Sequence, residues 1–422
     1  MVRPNDPWRA DEMDREAGRL DWAAKDAKDA PKPVGNFDDD YEVLCRMFQV
    51  PGHPCLVSRC RKESEEAKPT TSNATKQPIQ FRNFTLDLTT LHLMMEALKR
   101  SSDVDTAIFH NAGLTRASIE MLTEGMEHTS IRCLSLDYNA SPPSSFPESP
   151  PSPGLTADQT EGGADDAPSS PSAARPRNFA GLLREGSKLR ELSLRGDGIG
   201  DAEAAELARA IEANTVLCSL NLFDNMITDV GAAALAETLR LNTVLRGLSL
   251  SKNRLTSASA EAFGLLLAGG YEILPAELEK RAAAETKIAA QNKIAQDAMK
   301  KKKDANVETR LPLSAATQDS DGRTIAGGNR SLAALNLADN PDLGEGGALA
   351  ALLMRMEEAR RREGNPGGAA TTAAVVLQEL HLTRCQGRSG GGDEEEEGRG
   401  GGGQAGLIAA AALALRPTKI VV

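Results

Sequence analysis

Three glycines, Gly196, Gly198 and Gly200, separate the apolar run "LSL" from an alanine-rich segment within "LSLRGDGIGDAEAAELARAIEA". Glycine between a strand and a helix is what a phosphate cradle needs, because the N–H groups at a helix start bind anions and glycine lets an anion approach the backbone. Here the third glycine falls one residue early for G-x-G-x-x-G. A second chemical possibility is "HPCLVSRC", which brings His53, Cys55 and Cys60 into one short segment. Imidazole and thiolate are zinc ligands, but a structural zinc takes four donors, usually at tighter spacing. With five histidines in the whole chain, general bases are few, and no acid pair or nucleophile with its base can be assembled. No catalytic residue, cofactor or metal site is expected.

The elements around those glycines show why. "LRELSLRGDGI" begins at Leu189, "LCSLNLFDNMI" at Leu217 and "LRGLSLSKNRL" at Leu245, a period of 28 residues. Each copy reads L-x-x-L-x-L-x-x-N/D-x-I/L and leads into an Ala- and Leu-rich segment, the pattern of a leucine-rich repeat whose strand is followed by a helix. The matching turns in the next two copies, "FDNMITDVG" and "SKNRLTSAS", carry no glycine triplet. The glycines are therefore expected to fill a structural slot. Weaker copies begin at Val104, Ile131, Leu332 and Leu377; an eighth strand is expected in "FTLDLTTL" near Leu86, and "TKIVV" is a candidate closing strand. The predicted fold is an α/β solenoid: a parallel sheet on a concave face, helices outside, and disordered insertions.

Composition agrees with stacked small units. In 422 residues only 3% are aromatic, beside 37 glycines and 22 prolines, so aliphatic side chains buried between neighbouring repeats must supply the stability. A net charge of -11 argues against a nucleic-acid partner, which requires a basic face. The charged start "MVRPNDPWRADEMDREAGRLDW" lacks the apolar block of a secretion signal, and the longest apolar run, "LIAAAALAL", is too short for a membrane span. An intracellular, cytoplasmic protein with reduced cysteines is expected.

Strand alternation assigns the faces. Leu192, Leu194, Leu220 and Leu222 point inward, and Ala205, Leu207, Ala208 and Ile211 form one inward helix stripe. Asn139, Asn225, Asn253 and Asn340, with Asp197 in the same slot, sit where the chain leaves the strand; there an amide can pair backbone groups of adjacent turns. Outward positions stack into two rows. One reads Ser135, Ser193, Asn221, Ser249, Asn336, His381 and the other Asp137, Arg195, Phe223, Ser251, Ala338, Thr383. These rows are the candidate surface for a protein partner, with Phe223 as an aromatic anchor. The oligomeric state is not encoded in any of these patterns.

Residues 1–78 are expected to be largely disordered apart from a short helix near 38–48. The repeat domain would fill 79–422, broken by insertions at 141–177 (Pro/Ser-rich), 271–330 (Ala/Glu/Lys-rich, predicted as a solvated helix leaving the stack, with a basic cluster at Lys300–Lys303) and 386–404 (Gly-rich and acidic).

The repeats resemble the ribonuclease-inhibitor-like class of leucine-rich repeats, helix-backed horseshoes that bind proteins. The order of parts resembles more closely the leucine-rich repeat-containing protein 71 family: an acidic stretch leading into Asp40, Tyr41, Leu44 and Cys45, the central "LNLFDNMITDVGAAALAETLRLNTVLRGLSLSKNRL", a Lys-rich insertion, then "SLAALNLADN" and "LQELHL". The Pro/Ser insertion and the Gly-rich tail depart from that family's pattern. The resemblance implies a non-catalytic component of motile cilia or flagella. Similar helix-backed repeats also regulate GTPases or ubiquitin-pathway enzymes, which is the alternative expectation.

Overall fold

The computed structural model describes residues 32–56, 77–140, 177–300, 309–314, 316–363, 377–385 and 419–421. The repeats form strands β1 (Ile79–Arg82), β2 (Thr106–His110), β3 (Cys133–Ser135), β4 (Glu191–Ser193), β5 (Ser219–Asn221) and β6 (Gly247–Ser249). An insertion holds β7 (Gly269–Glu272), β8 (Thr317–Gln318) and β9 (Thr324–Gly327), after which β10 (Ala334–Asn336), β11 (Glu379–His381) and β12 (Lys419–Val421) resume the series. The nine strands outside the insertion make one sheet in chain order, every neighbour parallel. Short parallel strands joined by helical crossovers, each repeat beside the next, fit a repeat solenoid.

The register explains the leucine spacing. Leu134, Leu192, Leu220, Leu248, Leu335 and Leu380 are directly paired across successive strands, and all are buried. Each contributes about 1.5–3 kcal/mol relative to exposure, too little for a lone repeat against its ordering entropy. Helices α2 (Leu88–Arg100), α3 (Arg116–Gly125), α4 (Asp201–Ala213), α5 (Asp229–Leu239), α6 (Ser257–Ala268) and α8 (Ala348–Glu363) cover the core on one side. In α4 the buried stripe is Ala204, Leu207, Ala208 and Ile211; Ala204 replaces the expected Ala205 because it lies three and four residues before Leu207 and Ala208.

Neighbouring helices are strapped together by a device absent from the leucine pattern. The Asp201 carboxylate accepts from the N–H groups of Thr228 (2.8 Å) and Gly231 (3.0 Å) and from the Thr228 hydroxyl (2.6 Å), so the first residue of α4 caps the start of α5. Asp229 repeats this one helix later, accepting from Thr256 N–H (2.9 Å), its hydroxyl (2.6 Å) and Ser259. Negative charge at a helix N-terminus is favourable. Burial raises the Asp229 pKa, but the bonds from Ser259 and Thr256 outweigh it and leave the carboxyl below its ordinary value.

The strand expected near Leu86 lies earlier, at Ile79–Arg82. "LTTL" belongs instead to α2, because Asp87 caps Thr90 N–H at 2.8 Å and starts a helix there; Leu86 occupies the turn, its N–H bonded to the carbonyl of Ala112. The sheet edge at β1 is covered from the N-terminal side. Helix α1 (Phe37–Phe48) buries Phe37, Tyr41, Leu44 and Cys45 in the common core, and His53 lies over the Phe81 ring at 5.0 Å. Residues 37–56 thus form a cap on the stack, the role terminal units play in solenoids.

The insertion at 271–330, expected as a solvated helix leaving the stack, holds that helix together with three strands. Helix α7 (Pro275–Lys300) buries Arg281, Ile288 and Ala295, spaced seven apart on a single face; sparse apolar residues suffice because only that stripe needs covering. Strands β7, β9 and β8 pair antiparallel. The helix does not simply leave the stack: the Arg240 guanidinium of the α5 end sits 4.1 Å over the Tyr271 ring, and Arg310 donates to the carbonyl of Thr215. The Pro/Ser insertion up to residue 176, the 386–404 linker and Lys301–Lys303 lie outside the described residues.

Candidate protein-binding face

The glycine turn is not a cradle. Gly196 N–H donates to the Phe223 carbonyl (3.0 Å), Asp197 and Ile199 N–H donate to Asn225 Oδ1 (3.1 and 3.0 Å), and Gly200 N–H donates to Glu203 (3.2 Å). Four amides of the turn are thus already committed. Gly196 has a left-handed φ of 64°, as do its counterparts Tyr138, Asp224, Lys252, Asp339 and Arg384, with φ of 56–58°. This position is left-handed in every repeat, and glycine is needed only here because a Cβ would come within 2.3 Å of the Tyr138 ring.

Gly196→Ala should therefore lower stability by about 1–3 kcal/mol in urea denaturation. In a Tyr138→Ala background the loss should shrink to the intrinsic left-handed cost, about 1 kcal/mol. An undiminished loss in that background would contradict the steric account.

The asparagines do what their slot predicts. Asn225 Nδ2 donates to the Leu194 carbonyl (2.8 Å) while Oδ1 takes the two amides above. Asn139 accepts from Ala112 N–H (2.8 Å) and donates to the Phe109 carbonyl (2.9 Å); Asn340 accepts from Asn253 N–H (3.0 Å) and donates to the Leu250 carbonyl (3.0 Å). In the next repeat Cys385 takes the slot and its Sγ–H donates to the Leu337 carbonyl (3.0 Å). Asp197 Oδ1 accepts from Asn139 N–H (2.8 Å), but its Oδ2 is buried with no hydrogen-bond partner. Burial, opposed by Arg177, pushes its pKa up to about 7.

The first outward row is continuous. Ser135, Ser193, Asn221, Ser249, Asn336 and His381 are paired strand to strand, and all are half-buried. In the second row the Arg195 guanidinium lies 4.7 Å over the Phe223 ring, with Lys252 Nζ at 5.8 Å. Phe223 is thus flanked by cations, a cluster worth about 0.5–1 kcal/mol at an exposed site. Asp137 accepts from the Ser193 hydroxyl (2.6 Å) and Arg195 N–H (3.1 Å), fixing the neighbouring part of the row.

Two expected members differ. Ser251 is only 2% exposed and bonds Asp339 at 3.5 Å, and Ala338 is also buried, because the following left-handed residues fold their side chains beside the sheet. Asn221 and Asn336 each accept from the N–H two residues on (3.1 and 3.0 Å), so part of their polar capacity is spent locally.

Sequence periodicity missed the left-handed row itself. It adds Tyr138, whose ring meets His110 edge-on at 5.2 Å, and the ion pairs Lys252–Asp224 (2.9 Å) and Arg384–Asp339 (3.0 Å). The signal was one position beyond the rows, just before each Asn slot. His53 Nδ1 accepts from Cys55 N–H (3.3 Å) and the His53 backbone N–H donates to the Tyr41 hydroxyl (3.1 Å); Cys60 lies outside the described residues. Among the described residues no group of three or more His, Cys, Asp or Glu side chains could hold a metal ion, and no helix is long and apolar enough to cross a membrane.

A comparison with curated proteins gave no match. A family model described as Leucine Rich repeat matches residues 213–236, the end of α4 through β5 into α5. Together with the parallel sheet, that match supports a leucine-rich repeat protein.

Proposed function

We propose that the chain is a non-catalytic scaffold that binds a protein partner across the concave face of its repeat sheet. The observation that supports this best is the continuous polar row from Ser135 to His381, with Arg195, Phe223 and Lys252 clustered beside its centre. Short polar side chains flanking a cation-backed aromatic give hydrogen bonds around an anchor, the composition of interface centres. Held in advance by their mutual stacking, Arg195 and Phe223 lose little side-chain freedom on binding.

The test is the combined replacement Asn221→Ala, Arg195→Ala and Phe223→Ala in full-length protein. Proximity labelling in the protein's own cells should lose its most enriched neighbours, while the circular-dichroism melt stays that of a folded chain. Unchanged labelling would move the binding site elsewhere. The same experiment tests the axonemal placement that the family resemblance suggests, since that placement requires enrichment of axonemal proteins. The regulatory alternative predicts stimulation of a GTPase in a purified assay, which a passive scaffold does not give.

A further inference from the structure

From β2 to β11 the side chain in the turn slot bridges each repeat to the one before it, with one exception among the described residues. Asn139, Asn225, Asn253 and Asn340 donate to the carbonyls of Phe109, Leu194, Leu222 and Leu250 (2.9, 2.8, 2.9 and 3.0 Å), and Cys385 donates to that of Leu337 (3.0 Å). Each of these carbonyls lies three residues before the slot of the preceding repeat. At the junction of β3 and β4 the slot holds Asp197, and the corresponding carbonyl is that of Leu136. The Asp197 carboxyl is fully buried, accepts from Asn139 N–H through Oδ1 (2.8 Å) and has no partner at Oδ2. A carboxylate only accepts, whereas a protonated carboxyl carries an O–H that can donate there. Two further features set this junction apart. The described outer layer behind it is a five-residue 3-10 turn, Phe179–Leu183, where the neighbouring crossovers hold α3 and α4, of 10 and 13 residues. Arg177 braces it, donating to the Asn139 carbonyl (2.9 Å) and to that of Asp197.

We propose that the β3–β4 junction is a proton-gated hinge in the stack, closed while the Asp197 carboxyl is protonated and bridges to the Leu136 carbonyl, and loosened when that carboxyl ionises. The charges that face the carboxyl are Arg177 of the returning chain and Asp137 of the β3 repeat; from the β5 repeat it meets the neutral Asn225, whose Oδ1 accepts the Asp197 N–H (3.1 Å). Burial, opposed by Arg177, holds its pKa at about 7, whereas a junction opened to water lets it titrate at about 3.9. The closed form is therefore the better proton binder, and its advantage over the open form shrinks about tenfold between pH 6 and pH 8. The hinge separates Asp137 and Tyr138 from Arg195 and Phe223 on the candidate face, so loosening it alters the surface that a partner meets. That consequence rests on the concave-face reading; the hinge itself does not.

Hydrogen–deuterium exchange of the full chain at pH 6 and pH 8, corrected for the intrinsic exchange rate, tests the hinge without any partner, so its outcome stands apart from whether the face binds one. The Leu136 and Tyr138 amides donate across the junction to the Ser193 and Arg195 carbonyls (2.9 and 2.6 Å). At pH 8 they should be less protected than the Leu222 and Asp224 amides, which donate across the β5–β6 junction to Ser249 and Ser251 (2.8 and 3.0 Å). Their protection should rise about tenfold at pH 6, and Asp197→Asn should give the higher protection at both pH values. Asn225→Asp should bring the same pH response to the Leu194 and Gly196 amides of the next junction, a readout that holds even should Asp197→Asn misfold. Equal protection of the two junctions at pH 8 would mean that exchange waits for unfolding of the whole stack. A pH response that survives Asp197→Asn would assign it to another group. Either result, or no response in Asn225→Asp, overturns the hinge.

Discussion

Asn253→Ala is expected to lower unfolding stability by about 3–4 kcal/mol, the largest loss from any single polar side chain in the stack. The amide of Asn253 accepts from Ile227 N–H (3.1 Å) and donates to the carbonyls of Leu222 (2.9 Å) and Leu250 (3.0 Å), and the residue is almost fully buried. Truncation strands these backbone groups where water does not replace the lost partner, at about 1–3 kcal/mol each, partly relieved by relaxation. Because the bonds join the β5 and β6 repeats, the damage falls on the interface between units, and stability in a solenoid is a sum over such interfaces. Urea denaturation should therefore show a lower midpoint and a shallower or split transition as the two halves lose cooperativity. A loss under about 1 kcal/mol with an unchanged slope would mean that the amide ladder is incidental and that leucine packing alone couples the repeats.

That ladder is also the clearest case of what the sequence made legible. Leucine spacing located seven strands, and the recurring Asn or Asp slot marks five of them, because a side chain that must fill one core and a polar group that must pair the same backbone groups recur at one interval. Periodicity gave no such information at the first strand, where the register places Phe84 and Ala112 opposite each other in the slot: the terminal unit is capped by His53 and α1 and needs no bridging amide. The attachment of the insertion to the stack was hidden for a different reason. Its stability depends on three buried residues seven apart and on distant partners such as Thr215 and Arg240, none of which leaves a local pattern. On the candidate face, alternation identified both rows, while the burial of Ser251 and the ion-paired left-handed row follow from a backbone conformation that every residue type there adopts.

The same slot yields the second large effect, in the opposite direction. Asp197→Asn is expected to raise stability at pH 8 by about 1–3 kcal/mol and to change it by less than about 1 kcal/mol at pH 5. The carboxyl is fully buried, with Oδ2 lacking a partner at the place from which Asn139, Asn225, Asn253 and Asn340 donate to backbone carbonyls. A protonated carboxyl can donate there and a carboxylate cannot. Burial accordingly pushes the pKa to about 7, with Asp137 adding to the rise and Arg177 and the Asn139 N–H opposing it. An unfolded aspartate titrates near 3.9 (about). Between those values the native state holds more protons than the unfolded one, so the contribution of this group is complete below about pH 4 and is lost as pH rises through about 7, on the order of 2–4 kcal/mol in all. Asparagine supplies the donor at every pH, so the pH 5 to pH 8 decline should flatten in the variant. Denaturation of both proteins at the two pH values measures the difference directly, other titrating groups being common to both. Asn253→Asp performs the reverse exchange and should introduce a decline with rising pH of similar size; if Asp197→Asn instead proves less stable than the parent at pH 8, the attraction between Arg177 and a charged Asp197 outweighs the missing donor, and the slot is an ion pair and not a broken rung of the amide ladder.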